Sequence, residues 1–133
     1  MSAVVADTHA VIWYLLESEA LSLAALAALD GATVAGDPIY VPAVSVVEVA
    51  YLVEKGRLPE LAFERLIDAL TDSAFGFTLV PLDLAVTQTV RKIPPDIVPD
   101  MPDRIIAATA LYLNLPLVTR DSRIRASSIK TIW

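Results

Sequence analysis

Asp7, Glu48, Asp103 and Asp121 stand where a strand hands over to a helix or where a helix opens, and acids gathered from such junctions can hold a cation. The clearest is in Met101-Pro102-Asp103-Arg104-Ile105-Ile106-Ala107-Ala108-Thr109-Ala110, which places an acid on the opening turn of an otherwise apolar helix. Pro102 suits the first helical position, and Asp103 then lies where the helix dipole favours negative charge. Taken singly, each acid has a structural role. Asp7 and Asp121 serve as N-caps, Glu48 as half of a capping box with Ser45, and Asp103 as a first-turn charge. Taken together they would repel one another, and carboxylates crowded into one pocket either raise their pKa values or bind a cation. An oxygen-only donor set, without cysteine and with His9 as the single histidine, favours a hard ion such as Mg²⁺ or Mn²⁺ over zinc. An ion so held activates water and stabilises a leaving oxygen, which is the chemistry of phosphodiester hydrolysis.

The elements that must position these acids follow from periodicity. Ala3–Ala6 reads as a buried strand running into a helix that Asp7 caps. Residues 20–30 read as a helix ended by Gly31. Ile39-Tyr40-Val41 is a strand after the Asp37-Pro38 turn, and Ser45-Val46-Val47-Glu48 opens a helix stopped by Gly56. Pro59 begins an amphipathic helix, Phe77–Val80 is a strand, and a helix runs from about Leu84 to Arg91. Four prolines make Ile93–Pro102 a loop, placed as a rim to the Asp103 helix. Leu115–Thr119 and Ile129–Trp133 are the last strands. Apolar strands alternating with helices predict an α/β fold, a three-layer α/β/α sandwich with a mainly parallel central sheet, in which ligands gather at the strands' carboxyl ends. All four acids belong to that edge.

With 133 residues, the chain is expected to form one domain, residues 1–133. Its 56% apolar content is high, and the surplus suggests a subunit or partner interface. No apolar run has the length of a membrane span, a basic n-region is absent, and there are no cysteines, so a cytoplasmic protein without a membrane partner is expected. The net charge of −6 opposes a nucleic-acid partner at first. The charge is uneven, however: residues 1–84 carry three basic and twelve acidic side chains, residues 85–133 seven basic and four acidic. The later half could face an anion, with Arg104 and Arg120, each beside a motif acid, as candidate phosphate contacts; Arg104 could equally hold a carboxylate. His9 reads as a packing or supporting residue of the site, with a ligand or catalytic role as the alternative, Asp100 as a helix-start acid or outer carboxylate, and Thr119 as a partner of a metal-bound water or of its own loop.

The ordered set Asp7-Thr8-His9-Ala10-Val11-Ile12-Trp13, Ser45-Val46-Val47-Glu48, Asp100-Met101-Pro102-Asp103-Arg104 and Thr119-Arg120-Asp121 resembles the PIN domain, and more narrowly the VapC-type toxins of prokaryotic toxin–antitoxin pairs. The resemblance covers nearly the whole chain. It implies a Mg²⁺- or Mn²⁺-dependent endoribonuclease acting on RNA, often tRNA or rRNA, and so halting translation. Asp7, Glu48, Asp103 and Asp121 would form the catalytic, metal-binding quartet, with Asp7 and Asp103 the direct ligands, and Thr119 matches the family's Ser or Thr near the site. The family further implies a homodimer and a VapB-like antitoxin laid across an apolar groove. The alternative is a catalytically silent PIN-like scaffold. A haloacid-dehalogenase-like phosphatase would need an acid where His9 stands, and a receiver-type domain a buried late lysine for which Lys130 has no strand-end context.

Overall fold

The computed structural model describes residues 2–133. Its five strands, β1 (Val4–Ala6), β2 (Ile39–Pro42), β3 (Phe77–Val80), β4 (Leu117–Val118) and β5 (Thr131–Ile132), form one wholly parallel sheet in the order β3-β2-β1-β4-β5. The chain therefore builds outward from β1 on one side and then crosses to the other. The order reverses between β1 and β4, and at such a reversal the loops leaving the two strands diverge and open a crevice. Asp7 follows β1 and Asp121 follows β4, so that crevice receives both.

Helices cover both faces, and the two-residue period of the strands decides which side chain meets which layer. Val4 and Ala6 enter one core together with Ile39, Val41, Phe77 and Val118. This core is closed by α1 (Thr8–Leu15), α2 (Leu23–Ala35) and α4 (Glu60–Thr71) through Val11, Ile12, Leu29 and Leu66. Val5 and Leu117 point the other way, into a second core with Ile106, Ala107 and Ala110 of α6 (Met101–Leu113) and Ile124 of α7 (Ser122–Arg125). The expected three-layer α/β/α sandwich is thus observed. No described helix is long and apolar enough to cross a membrane.

Local boundaries depart from expectation in instructive places. Gly31 does not end α2; the helix continues to Ala35 and is closed by Gly36 in the left-handed conformation at φ 73°. The buried stripe Ala25, Leu29, Ala32 spans the glycine, so packing outweighs its cost of about 1 kcal/mol in a helix interior. A Cβ added at Gly31 meets nothing within 4 Å. Gly31→Ala is therefore expected to stabilise the protein by roughly 0.5–1 kcal/mol, read as a higher midpoint in urea unfolding. The Ser45–Glu48 capping box does not form either. β2 passes directly into α3 (Ala43–Glu54), with Pro42 at the cap and no side-chain cap bond, so Ser45 and Glu48 both lie inside the helix. Met101, not Pro102, is the first residue of α6. The last two strands pair over Leu117–Val118 and Thr131–Ile132 only, shorter than their apolar runs.

The remaining helix, α5 (Leu84–Thr89), continues as a 3₁₀ turn, Val90–Lys92, and leads into the proline-rich segment. That segment is packed: Ile93 and Val98 are buried in the second core. Arg104, on the first turn and a half of α6, ties it down by donating one guanidinium nitrogen to the carbonyls of Val90 and Ile93, each at 2.9 Å.

Candidate metal centre

The four acids line one hollow of about 320 Å³, together with Thr8, His9, Ile106 and Arg120. Each arrives by a different local device. Asp7 is the N-cap of α1, where its Oδ1 accepts from the Ala10 amide at 2.9 Å. Its Oδ2 accepts from the hydroxyl of Thr119, which is fully buried beneath the site. Thr119 Oγ1 in turn accepts from the Asp121 amide at 3.0 Å, linking the ends of β1 and β4 through one side chain. Asp121 is itself an N-cap, its Oδ1 accepting from Arg123 and Ile124 of α7 at 3.0 and 2.9 Å. Asp103 is the third residue of α6, and its amide is capped by Asp100 Oδ2 at 3.1 Å.

Glu48 reaches the hollow from α3 and is held by a residue to which the sequence reading assigned no role. Thr8 Oγ1 donates to Glu48 Oε1 at 2.6 Å and lies 3.0 Å from Ser45 Oγ. Thr8 and Ser45 are both buried. A signal for them existed: Thr8 shares a helical face with the buried Val11 and Ile12, and Ser45 with Val49, so each is a hydroxyl at a position where an apolar residue is the rule.

Electrostatics identify this as a place of stored repulsion. Burial raises Asp7 above the ordinary carboxyl value, partly opposed by the Thr119 hydroxyl and the Ala10 amide. Burial also raises Glu48, against the bond from Thr8. Asp103 is pushed up to about 7, first by burial and then by the negative charges of Asp121, Asp100 and Glu48. Buried carboxyls crowded in this way favour either partial protonation or a bound counter-charge.

Two further positions resolve into different roles. Arg120 lines the hollow, its guanidinium carbon 4.7 Å from the centroid of the Trp13 ring. Arg104 does not line it. Its guanidinium contacts the Val90 and Ile93 carbonyls, so the sequence-based expectation of a phosphate or carboxylate contact is replaced by a structural one. Arg104→Ala is expected to cost about 2 kcal/mol of stability, since two carbonyls lose a charged donor. Urea unfolding measures this, and an unchanged midpoint would remove the clamp role. His9 is exposed on the rim of the hollow, while Asp100 is held at the helix cap rather than in the lining.

Among the described residues no three carboxylate or imidazole groups stand close enough to form a ready-made cage for an ion. The donor chemistry nonetheless fits a hard divalent cation: four oxygen acids share one hollow and three have raised pKa values. Asp7, Glu48, Asp103 and Asp121 are the residues that could hold it.

A parallel sheet with this strand order and an acidic crevice at its switch point defines the class. The PIN domain model matches residues 4–129, and the chain belongs to that family. Within it the chain is homologous to VapC-type toxins: ribonuclease VapC22 of Mycobacterium tuberculosis (strain ATCC 25618 / H37Rv) is 33% identical over 126 residues, 95% of this chain and 92% of that protein. The fold is shared with VapBC2 from Rickettsia felis bound to a fragment of its promoter DNA, at a TM-score of 0.71 and 14% identity, covering 97% of this chain and 96% of that one. A toxin–antitoxin complex from Klebsiella pneumoniae gives a TM-score of 0.64 at 18% identity, over 98% of this chain and 96% of that one. FitAcB from Neisseria gonorrhoeae gives 0.62 at 22%, over 96% and 95%.

Proposed function

We propose that this protein is a metal-dependent endoribonuclease of the VapC type, hydrolysing RNA phosphodiester bonds and thereby blocking translation. The observation that carries the reading is the convergence of Asp7, Glu48, Asp103 and Asp121 on one hollow at the sheet's switch point. The ribonuclease relative, alike over nearly its full length, supports it. Mg²⁺ or Mn²⁺ bound by these four acids would supply an acidified water and charge stabilisation for the leaving oxygen. The chain's own contribution is positioning. Thr119 orients Asp7, Thr8 orients Glu48, and the α7 amides leave Asp121 only one free oxygen for the hollow. Asp103, pushed up to about 7 by burial and its acidic neighbours, would be held in its charged form by a cation that offset their repulsion.

Arg120 is the cation of the lining and the candidate phosphate contact. A second groove, of about 540 Å³, lies along α1 and α2 and is lined by Trp13, Tyr14, Leu21, Leu23 and Leu26 together with Glu17, Glu19 and Asp30. Leu23 is 86% exposed, an unusual state for a leucine beside a hollow. A groove lined by both apolar and acidic side chains suits a basic amphipathic segment of a VapB-like antitoxin, and the toxin–antitoxin complexes of like fold support such a partner. We further assign the protein to the cytoplasm, as a homodimer acting on tRNA or rRNA.

The test is incubation of total RNA with the purified protein in Mg²⁺, in Mn²⁺ and in chelator, followed by sequencing of new 5′ ends. Discrete cuts in either metal and none in chelator are expected. Cuts of equal yield in chelator would overturn the metal-dependent reading, and no cuts in any condition would favour a silent scaffold.

A further inference from the structure

The rim of the acidic hollow carries an aromatic cluster that the hydrolytic reading does not use. His9 and Trp13 lie one turn apart on α1, with ring centroids 5.3 Å apart and planes tilted by 50°. Trp133, just after β5, meets Trp13 from another direction at 5.9 Å and 54°. Arg120 approaches the same Trp13 ring at 4.7 Å. Separations and tilts of this size are the favourable ones for aromatic pairs, and Trp13 and Trp133 are both anchored against the larger core. The outermost member, His9, is exposed and faces the hollow beside Arg120.

A nucleic-acid strand entering this hollow approaches four carboxylates, and among the described lining residues Arg120 is the one Lys or Arg. Even with one divalent cation held among them, the four carboxylates and Arg120 leave the lining net negative, so charge supplies little net attraction and affinity has to come from an interaction that does not depend on it. Stacking of a base on an aromatic ring is such an interaction, available to every base. Arg120 is equipped for the neighbouring phosphate, because contact with a ring face uses none of its five N–H donors. Resting on the RNA-cleavage reading above, we propose that His9, backed by Trp13 and Trp133, is the platform on which an unpaired base flanking the cut bond stacks, while Arg120 holds the phosphate beside it. A base must be free of its partner to lie there, so the seat takes an unpaired nucleotide and not one within a duplex.

Trp13 and Trp133 are the chain's two tryptophans, so fluorescence excited beyond the absorption band of the tyrosines reports on this cluster alone. Hexaadenylate and hexauridylate RNA would be titrated in Mg²⁺ into the full chain carrying Asp103→Asn, which keeps the probe from being cut. Saturable quenching is expected, stronger with adenine. Adding His9→Ala should weaken binding about tenfold with an unchanged salt slope, and His9→Phe should restore it to within about twofold. Adding Arg120→Ala should weaken binding about tenfold and lower the salt slope by about 1. Circular dichroism checks that these exposed substitutions leave the fold intact. Binding unchanged in His9→Ala overturns the platform whatever Arg120→Ala does, as does a His9→Phe protein as weak as His9→Ala. Metal-dependent cleavage by the unaltered protein, run in parallel, separates the two readings: cuts without quenching remove the platform alone, and neither cuts nor quenching removes both.

Discussion

Asp103→Asn is expected to lower metal-dependent RNA cleavage by about a thousandfold or more and at the same time to make the metal-free protein more stable. The two effects share a cause. Asp103 lies half-buried with Asp121, Asp100 and Glu48 around it, and its carboxyl is driven up to about 7. Its negative form is unfavourable in the folded, metal-free chain, and a cation is what makes that form favourable. Asparagine keeps the size and removes the charge, so the repulsion disappears together with a ligand. Losing one group from a metal-held catalytic set typically removes several kcal/mol of transition-state stabilisation, about a thousandfold by the rule of 1.36 kcal/mol per factor of ten. Cleavage assays and thermal unfolding in chelator measure the two effects. Full activity in Asp103→Asn would reject the assignment of this acid. Lost activity together with a lowered Tm would mean that the substitution damages the fold.

The second large effect is on the pH dependence of stability. For Asp103 the folded-state value, about 7, lies above the unfolded value of 3.8, so between the two the folded chain binds more protons than the unfolded one. Its contribution to stability is thus fully present below 3.8 and is lost as pH rises through 7. Asp7 and Glu48 are raised as well and act with the same sign. After a discount for the solvent screening of a half-buried group, the metal-free protein is expected to lose about 1–2 kcal/mol between pH 5.5 and 8, roughly 3–8 °C in Tm. Mn²⁺ should reverse this. An ion present at a hundred times its dissociation constant adds about 2.7 kcal/mol, and it competes with fewer protons at pH 8 than at 5.5. Differential scanning calorimetry at both pH values, with chelator and with Mn²⁺, reads all four conditions. A metal-induced rise in Tm that is absent at pH 8, or equal at the two pH values, would contradict a centre built on these raised carboxyls.

The same residues show how an acidic chain can gather four carboxylates in one hollow. The acids are brought together by local structure: two N-caps, a first-turn position and an interior helical position backed by threonine. Local hydrogen bonding and core packing offset their repulsion. Among the described residues the acids share one hollow without closing into a cage.

Much of this was legible in the chain itself, because the signals are short-range. Asp7 and Asp121 follow apolar runs and precede helices, and capping chemistry alone puts them at strand ends. The alternation of apolar strands with helices implied a parallel sheet, and a parallel sheet implied one edge for the acids. Other features depended on contacts between distant residues. Gly31 reads as a stop, but Leu29 and Ala32 pack on both sides of it and carry the helix through. Ser45 reads as a cap, but β2 runs unbroken into α3, which makes Ser45 a buried neighbour of Thr8, 37 residues away in sequence. Arg104 reads as an anion contact from its place beside Asp103. Its direction is set instead by two carbonyls of a segment that folds against it, and no sequence spacing encodes which way a long side chain turns. Sequence alone thus determined which residues carry charge and, for Asp7, Asp103 and Asp121 though not for Glu48, at which helix ends they sit, since propensity, capping and periodicity act within a few residues. Tertiary structure alone decided which hydroxyls hold the acids, which arginine faces the hollow and how far the carboxyls are pushed from their ordinary values, because burial and repulsion exist only once distant segments meet.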